Sequence, residues 1–370
     1  MKILIISSYI GRPGSLVGGG ETYAELLAIQ LADRGHHVVM GCWRNGTVRL
    51  NNSSGTLPAR QVRIRSAMDL CAIAALIRVI RKDRIGLIIA NSPKEYWPSI
   101  IAAKITGASV MVVRHLTRRI SWATRTIINM ADVNVIAVSN SVKQALLLSA
   151  IKEKLIKVVT NGVPIDEIAA FTTERDRTRK ELGLQPDDLA IGFSGRLHPE
   201  KGLVFLVEAF GRISVQFPFA KLLIVGDGSD RMNIERHVAK LGITDRVLFT
   251  GRVVPVYKMY AAMDIFVMPS ICEEAFGFAA AEAMAMGKPV IASDSGGLAE
   301  MITSGTDGIL VTPGNTDALA AAIADLISDP ELARSYAAAG QKKILKYFSV
   351  RIQGDLMNNL ILAVEEDNKR

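Results

Sequence analysis

Short apolar runs punctuate the chain at Ile3 to Ile6, Leu87 to Ala90, Val110 to Val113, Val135 to Val138 and Ile156 to Val159. They continue at Leu189 to Ser194, Leu222 to Val225, Ile265 to Met268, Val290 to Ser293 and Ile309 to Val311. A strand that is apolar on both faces belongs in the middle of a parallel sheet covered by helices. The intervening segments have helical patterning: Glu21 to Asp33, Tyr96 to Ile105, Trp122 to Met130, Ser141 to Leu148, Leu203 to Val215, Phe278 to Met286, Thr316 to Ile327 and Glu331 to Lys346. Such βα repetition predicts doubly wound parallel sheets, whose ligands bind beyond the carboxyl ends of the strands. The turn cluster Thr160 to Pro164 and the charged segment Thr172 to Lys180 interrupt the alternation. The expected organisation is a first domain over residues 1–165, a second over 166–347, and a final helix over 348–370.

The stretch Pro269 to Glu300 carries the densest chemistry. A buried strand stops at Pro269 and Ser270, a loop follows, and Gly277 opens an Ala- and Met-rich helix that Gly287 closes. The N–H groups of Phe276, Gly277 and Phe278 then sit at a helix N-terminus, where an anion finds free donors and a favourable dipole. Glu274 falls in the loop and Glu282 on the second helical turn. Carboxylates beside an anion site repel the anion unless they hold another part of the same molecule, and sugar hydroxyls fit that need.

Other strand ends add cations and amides. Gly18-Gly19-Gly20 precedes the first helix, so Gly19 and Gly20 are candidates for a phosphate loop, without the spacing of a dinucleotide or P-loop motif. Arg196 and Lys201 flank the loop after Leu189 to Ser194, a fork and a point charge suited to a diphosphate. Arg252 and Val253 follow the run ending at Gly251, and His115 follows Val110 to Val113 by two residues.

Taken in order, GGG-E, RGHHV, NGV, GRLHPEKG, GDG and PSICEEAFGFAAAEAMAMGKPV resemble the retaining glycosyltransferases of family GT4 along essentially the whole chain. The resemblance implies a GT-B fold: two Rossmann-like doubly wound parallel-sheet domains facing a central cleft, the last helix crossing back to the first domain. It implies that Glu274 meets the transferred sugar, that Glu282 holds the ribose, and that backbone groups at Arg252 and Val253 meet the base. It also implies that Gly19 and Gly20 close over the donor phosphates and that His115 stands near the reacting carbon. The sequence around His115, Arg-His-Leu-Thr-Arg-Arg, departs from the commoner His-Asp pattern. The implied donor is a nucleotide-diphosphate sugar, with no other cofactor and no metal, and the acceptor a saccharide or lipid-linked hydroxyl. A non-catalytic nucleotide-sugar or anionic-glycan binding module and a nucleotide-sugar epimerase are the competing readings.

Composition narrows the setting. The chain of 370 residues has room for two cores, and its 49% apolar content is that of a globular protein. Cys42, Cys71 and Cys272 lack the spacing of a disulfide framework or zinc site. The first apolar run is too short for a signal peptide, and Leu70 to Ile80 is cut by Arg78 before it could span a bilayer. The expected location is the cytoplasm, peripherally on the cytoplasmic membrane face. Residues 1–170 hold 22 Lys and Arg against 10 Asp and Glu, whereas residues 171–370 hold 22 against 26. A basic first half without a nucleic-acid motif points to an anionic acceptor or membrane surface.

Overall fold

The computed structural model describes residues 1–10, 18–43, 46–49 and 56–367. The chain forms two compact units, one of Met1–Gly162 with Val350–Arg370 and one of Val163–Ser349.

The first unit runs β1 (Lys2–Ile6), α1 (Gly19–Asp33), β2 (His37–Cys42), β3 (Gly46–Arg49), β4 (Thr56–Gln61), α2 (Leu70–Asp83), β5 (Leu87–Ala90), α3 (Pro93–Thr106), β6 (Ser109–Arg114), α4 (Trp122–Met130), β7 (Asn134–Ala137), α5 (Asn140–Leu148) and β8 (Ile156–Val158). Its eight strands lie in the order β3-β4-β2-β1-β5-β6-β7-β8, all parallel to their neighbours except β3 against β4. The second unit runs α6 (Ile165–Ala169), α7 (Arg175–Glu181), β9 (Leu189–Ser194), α8 (Leu203–Ile213), β10 (Ala220–Val225), α9 (Arg231–Lys240), β11 (Val247–Gly251), α10 (Tyr257–Ala262), β12 (Ile265–Met268), α11 (Phe278–Ala285), β13 (Val290–Ser293), α12 (Gly296–Met301), β14 (Ile309–Val311), α13 (Thr316–Ser328) and α14 (Pro330–Tyr347). Its six parallel strands follow the order β11-β10-β9-β12-β13-β14. The order reverses direction between β9 and β12, the switch point where doubly wound sheets open a crevice. The final helix, α15 (Val350–Asp367), packs on α1, where the Arg34 guanidinium grips Asp355 at 2.7 Å.

Ile3 to Ile6, Ile191, Phe193, Leu222 to Ile224, Phe266, Val267, Val290 and Ile291 are fully buried, so the strands are apolar on both faces and helices cover each sheet twice. Asp69, Ser139, Asn315 and Asp329 cap their helices by accepting from the backbone N–H three residues on.

Four features add to the sequence expectation or differ from it. Strands β3 and β4 carry no apolar run; Pro58 and the polar residues of β4 conceal its period. The run from Leu70 is a helix with an exposed side, and the interruption at Arg78 is its solvent face. The charged segment read as marking the domain boundary is largely α7: Arg175 and Arg179 hold Asp264 at 2.6 and 3.1 Å, while that carboxylate also accepts from Ala190 N–H at 2.8 Å. It thereby ties the starts of β9 and β12. Finally, α1 begins at Gly19, so Gly19 and Gly20 form its first turn, and residues 11–17 of the expected loop lie outside the described residues.

Candidate functional site

In the second unit, β9, β10, β11 and β12 are neighbours in the sheet, so the segments leaving their carboxyl ends meet along one edge. That edge gathers Arg196 and Lys201 after β9, Arg252 and Val253 after β11, and Glu274 to Gly277 after β12. Lys201 Nζ donates to Glu274 Oε1 at 2.5 Å, and the fully buried Ser270 donates to the same oxygen at 2.6 Å. The pair is largely withdrawn from water, with 19% and 13% of the two side chains exposed. An ammonium has three N–H donors. Lys201 can therefore hold Glu274 and still offer a charged hydrogen bond to a phosphate.

Gly277 caps α11 with φ +91°, a left-handed conformation, and a Cβ there would stand 2.4 Å from Leu298 Cδ2. The first four N–H groups of that helix, Gly277 to Ala280, have no carbonyl one turn earlier to bond. Phe276 falls outside that set; its buried ring packs edge-on to Phe278 with centroids 5.0 Å apart. Beneath the loop lie Gly296 and Gly297. A Cβ on Gly296, which has φ +54°, would meet the Glu274 carbonyl oxygen at 2.3 Å, and Gly297 N–H donates to that oxygen at 2.6 Å. Backbone therefore seats on backbone, and the position of Glu274 is set by two residues that carry no side chain.

Glu282, on the second turn of α11, accepts from the Tyr260 hydroxyl at 2.8 Å. Burial pushes its carboxyl up to about 7, and the Tyr260 hydrogen bond opposes that rise. Arg196 and Arg252 are exposed, and Val253 is half-buried.

The remaining candidates belong to the first unit. His115 Nε2 meets Asn91 Oδ1 at 2.8 Å, and Asn91 Nδ2 donates to the Gly20 carbonyl at 2.7 Å. A carbonyl only accepts, so the amide nitrogen of Asn91 must face Gly20 and its oxygen must face His115. Nε2 of His115 is then the protonated nitrogen, which leaves the lone pair on Nδ1. Burial, then the positive Arg114, lowers His115 to about 4, so the ring is neutral at physiological pH. The Tyr23 ring stands edge-on to it, centroids 4.7 Å apart.

A buried carboxylate missed in the sequence organises this end of the sheet. Glu95 accepts from Ser8 N–H and Oγ at 2.8 and 2.6 Å through one oxygen, and from Asn91 and Ser92 N–H at 3.0 and 2.9 Å through the other. Ser92-Pro93-Lys94-Glu95 is the capping-box pattern that could have revealed it. Tyr260 and Ser270 left no such signal: the partner of Tyr260 is 22 residues away on another helix, and that of Ser270 lies four residues on in the same irregular loop, where no periodicity applies. Among the described residues no group of three His, Cys, Asp or Glu could hold a metal ion.

Cations and a helix N-terminus at the switch point of a doubly wound sheet define a Rossmann-like ligand-binding unit, and the chain holds two α/β units of this kind. Residues 174–343 match the model of the glycosyl transferases group 1, and residues 17–167 that of glycosyltransferase family 4. The chain belongs to this family of glycosyltransferases, and its fold is GT-B. Among its relatives, the 2-deoxystreptamine glucosyltransferase of Streptomyces kanamyceticus is 29% identical over 78% of this chain and 80% of its own. A GDP-mannose-dependent alpha-(1-6)-phosphatidylinositol monomannoside mannosyltransferase of Mycolicibacterium smegmatis is 29% identical over 71% of this chain and 73% of its own. The solved structure of HepE from Anabaena, in complex with UDP and glucose, is 24% identical, covers 98% of this chain and 99% of its own, and superposes with a TM-score of 0.84.

Proposed function

We propose that this glycosyltransferase is a retaining enzyme that needs no metal and transfers a hexose from a nucleotide-diphosphate sugar to a saccharide or lipid-linked hydroxyl in cell-envelope polysaccharide, lipopolysaccharide or glycolipid synthesis. The observation that carries this reading is the Lys201–Glu274 pair lying beside the N-terminus of α11, with Glu282 one turn further along. A diphosphate takes Arg196, Lys201 and the amides of Gly277 and Phe278. The carboxylates are then left for hydroxyls, Glu274 for the sugar and Glu282 for the ribose. Backbone at Arg252 and Val253 borders the base, with the Phe276 ring buttressing the α11 turn, and Gly19 and Gly20 meet the donor phosphates.

When the bond from the anomeric carbon to phosphate breaks, negative charge collects on the leaving oxygen. Fixed cations and amides stabilise it more than they stabilise the ground state, which is what accelerates the step. The acceptor oxygen bonds to the anomeric carbon on the face the phosphate leaves, and its proton passes to a phosphate oxygen. His115, neutral and accepting through Nδ1, is proposed to orient a substrate hydroxyl.

Calorimetric titration with UDP-, GDP- and ADP-sugars, followed by transfer assays in the presence of EDTA, tests the reading. The account expects binding of one nucleotide class, turnover that EDTA does not reduce, and a product anomer matching that of the donor. Nucleotide binding without transfer to any acceptor or to water would favour the binding module instead. The proposed location is the cytoplasmic face of a membrane; no helix among the described residues is long and apolar enough to cross one.

A further inference from the structure

We propose that the groove between α3 and α4 is a docking surface for an anionic lipid bilayer, resting on the reading of a membrane-borne acceptor given above. The groove encloses about 390 Å³ and is lined by Trp97, Trp122, Ile127 and Met130, with Lys104 at its border. Two of these side chains stand in solvent: Trp122 is 75% exposed and Met130 80%. They lie eight residues apart on α4, about 80° apart around its axis, and both line the groove. Trp97 forms the opposite wall, and its ring N–H donates to Thr124 at 3.2 Å, which fixes the ring across the groove.

Charge identifies the occupant. Residues 96–131 contain no Asp or Glu, while Lys104, Arg118 and Arg119 are exposed and Arg125 is half-buried. An apolar groove whose one charged lining residue is Lys104, on a stretch whose other charges up to Ala131 are all positive, matches a surface with apolar chains below and anionic headgroups above; Asp132, which follows, is paired with Lys152 and Lys154. Tryptophan suits that boundary, with an apolar body and one polar N–H. Topology supplies the purpose. Trp122 begins the helix after β6, whose carboxyl end carries His115, so both belong to the same edge of the first sheet. Docking through Trp122 brings that edge to the membrane where a lipid-linked hydroxyl resides.

Sedimentation with phosphatidylglycerol and with phosphatidylcholine vesicles, at low and high salt, tests the proposal. The expected result is at least about tenfold stronger partition onto the anionic vesicles at low salt, lost at high salt. Lys104→Gln and Arg119→Gln should each weaken it about fivefold. The double substitution Trp122→Ser, Met130→Ser should weaken it about tenfold. Fluorescence quenching by brominated acyl chains should fall in Trp122→Phe. Circular dichroism and nucleotide titration confirm that each variant is folded, and the nucleotide titration reports on the second unit whatever the vesicles show. Equal partition onto both vesicle types, or undiminished partition of the folded double variant, would overturn the proposal. Failure of nucleotide binding with intact vesicle binding would instead overturn the donor-site reading.

Discussion

Glu282 is held part-protonated near neutral pH by burial, and its ionised form accepts more hydrogen bonds from a ribose than its neutral form. Nucleotide affinity should therefore rise as pH passes upward through about 7, and calorimetry in Glu282→Gln should find weaker binding with that pH dependence gone. Stability runs the other way. A carboxyl raised in the folded state binds its proton more tightly there than in the unfolded chain, so stability falls as pH climbs from 4.5 towards 7. The Gln variant should flatten that slope in denaturant titrations. His115 offers a second test at this scale, because the Gly20–Asn91–His115 chain fixes its tautomer. Histidine ¹⁵N shifts should show Nε2 protonated and Nδ1 bare from pH 5 to 8. Asn91→Asp places a carboxylate against Nε2, so the titration of His115 should move up and kcat/KM should gain an acidic limb.

At the scale of elements, the loop bearing Glu274 is positioned from below by the first turn of α12. Substituting Gly296 with Ala must strain a left-handed residue and push the Glu274 carbonyl away. The expected cost is about 1–3 kcal/mol of stability, read by thermal unfolding. Transfer activity should fall by more than ten-fold, because the Lys201–Glu274 pair moves with the loop. Retained activity in a folded Gly296→Ala protein would show that the loop position is not critical. The sequence displayed Glu274, Gly277 and the strands on either side, since apolar runs and helix punctuation are local. It did not display what holds them: Tyr260 and the Gly296–Gly297 seat act through contacts between elements, and Ser270 through a bond inside an irregular loop, none of which any periodicity encodes. The Arg175 and Arg179 clamp on Asp264 failed to show for the same reason, as a charge run looks alike whether it is solvated or paired.

At the scale of the whole molecule, the strand alternation and the family pattern made the α/β class and the GT-B fold legible, because parallel strands buried on both faces leave continuous apolar runs. The strands β3 and β4 stayed hidden because they lie at the sheet's margin and need not be apolar throughout. The central claim is that a pyrophosphate is gripped by Arg196 and Lys201 beside the amides of α11 while two carboxylates hold hydroxyls. Isothermal titration of the preferred nucleotide against the wild type and the double variant Arg196→Glu, Lys201→Glu tests it most directly. The account predicts at least about a hundredfold weaker affinity, since two charge-assisted contacts are replaced by repulsion. An unchanged affinity in a folded double variant would contradict it.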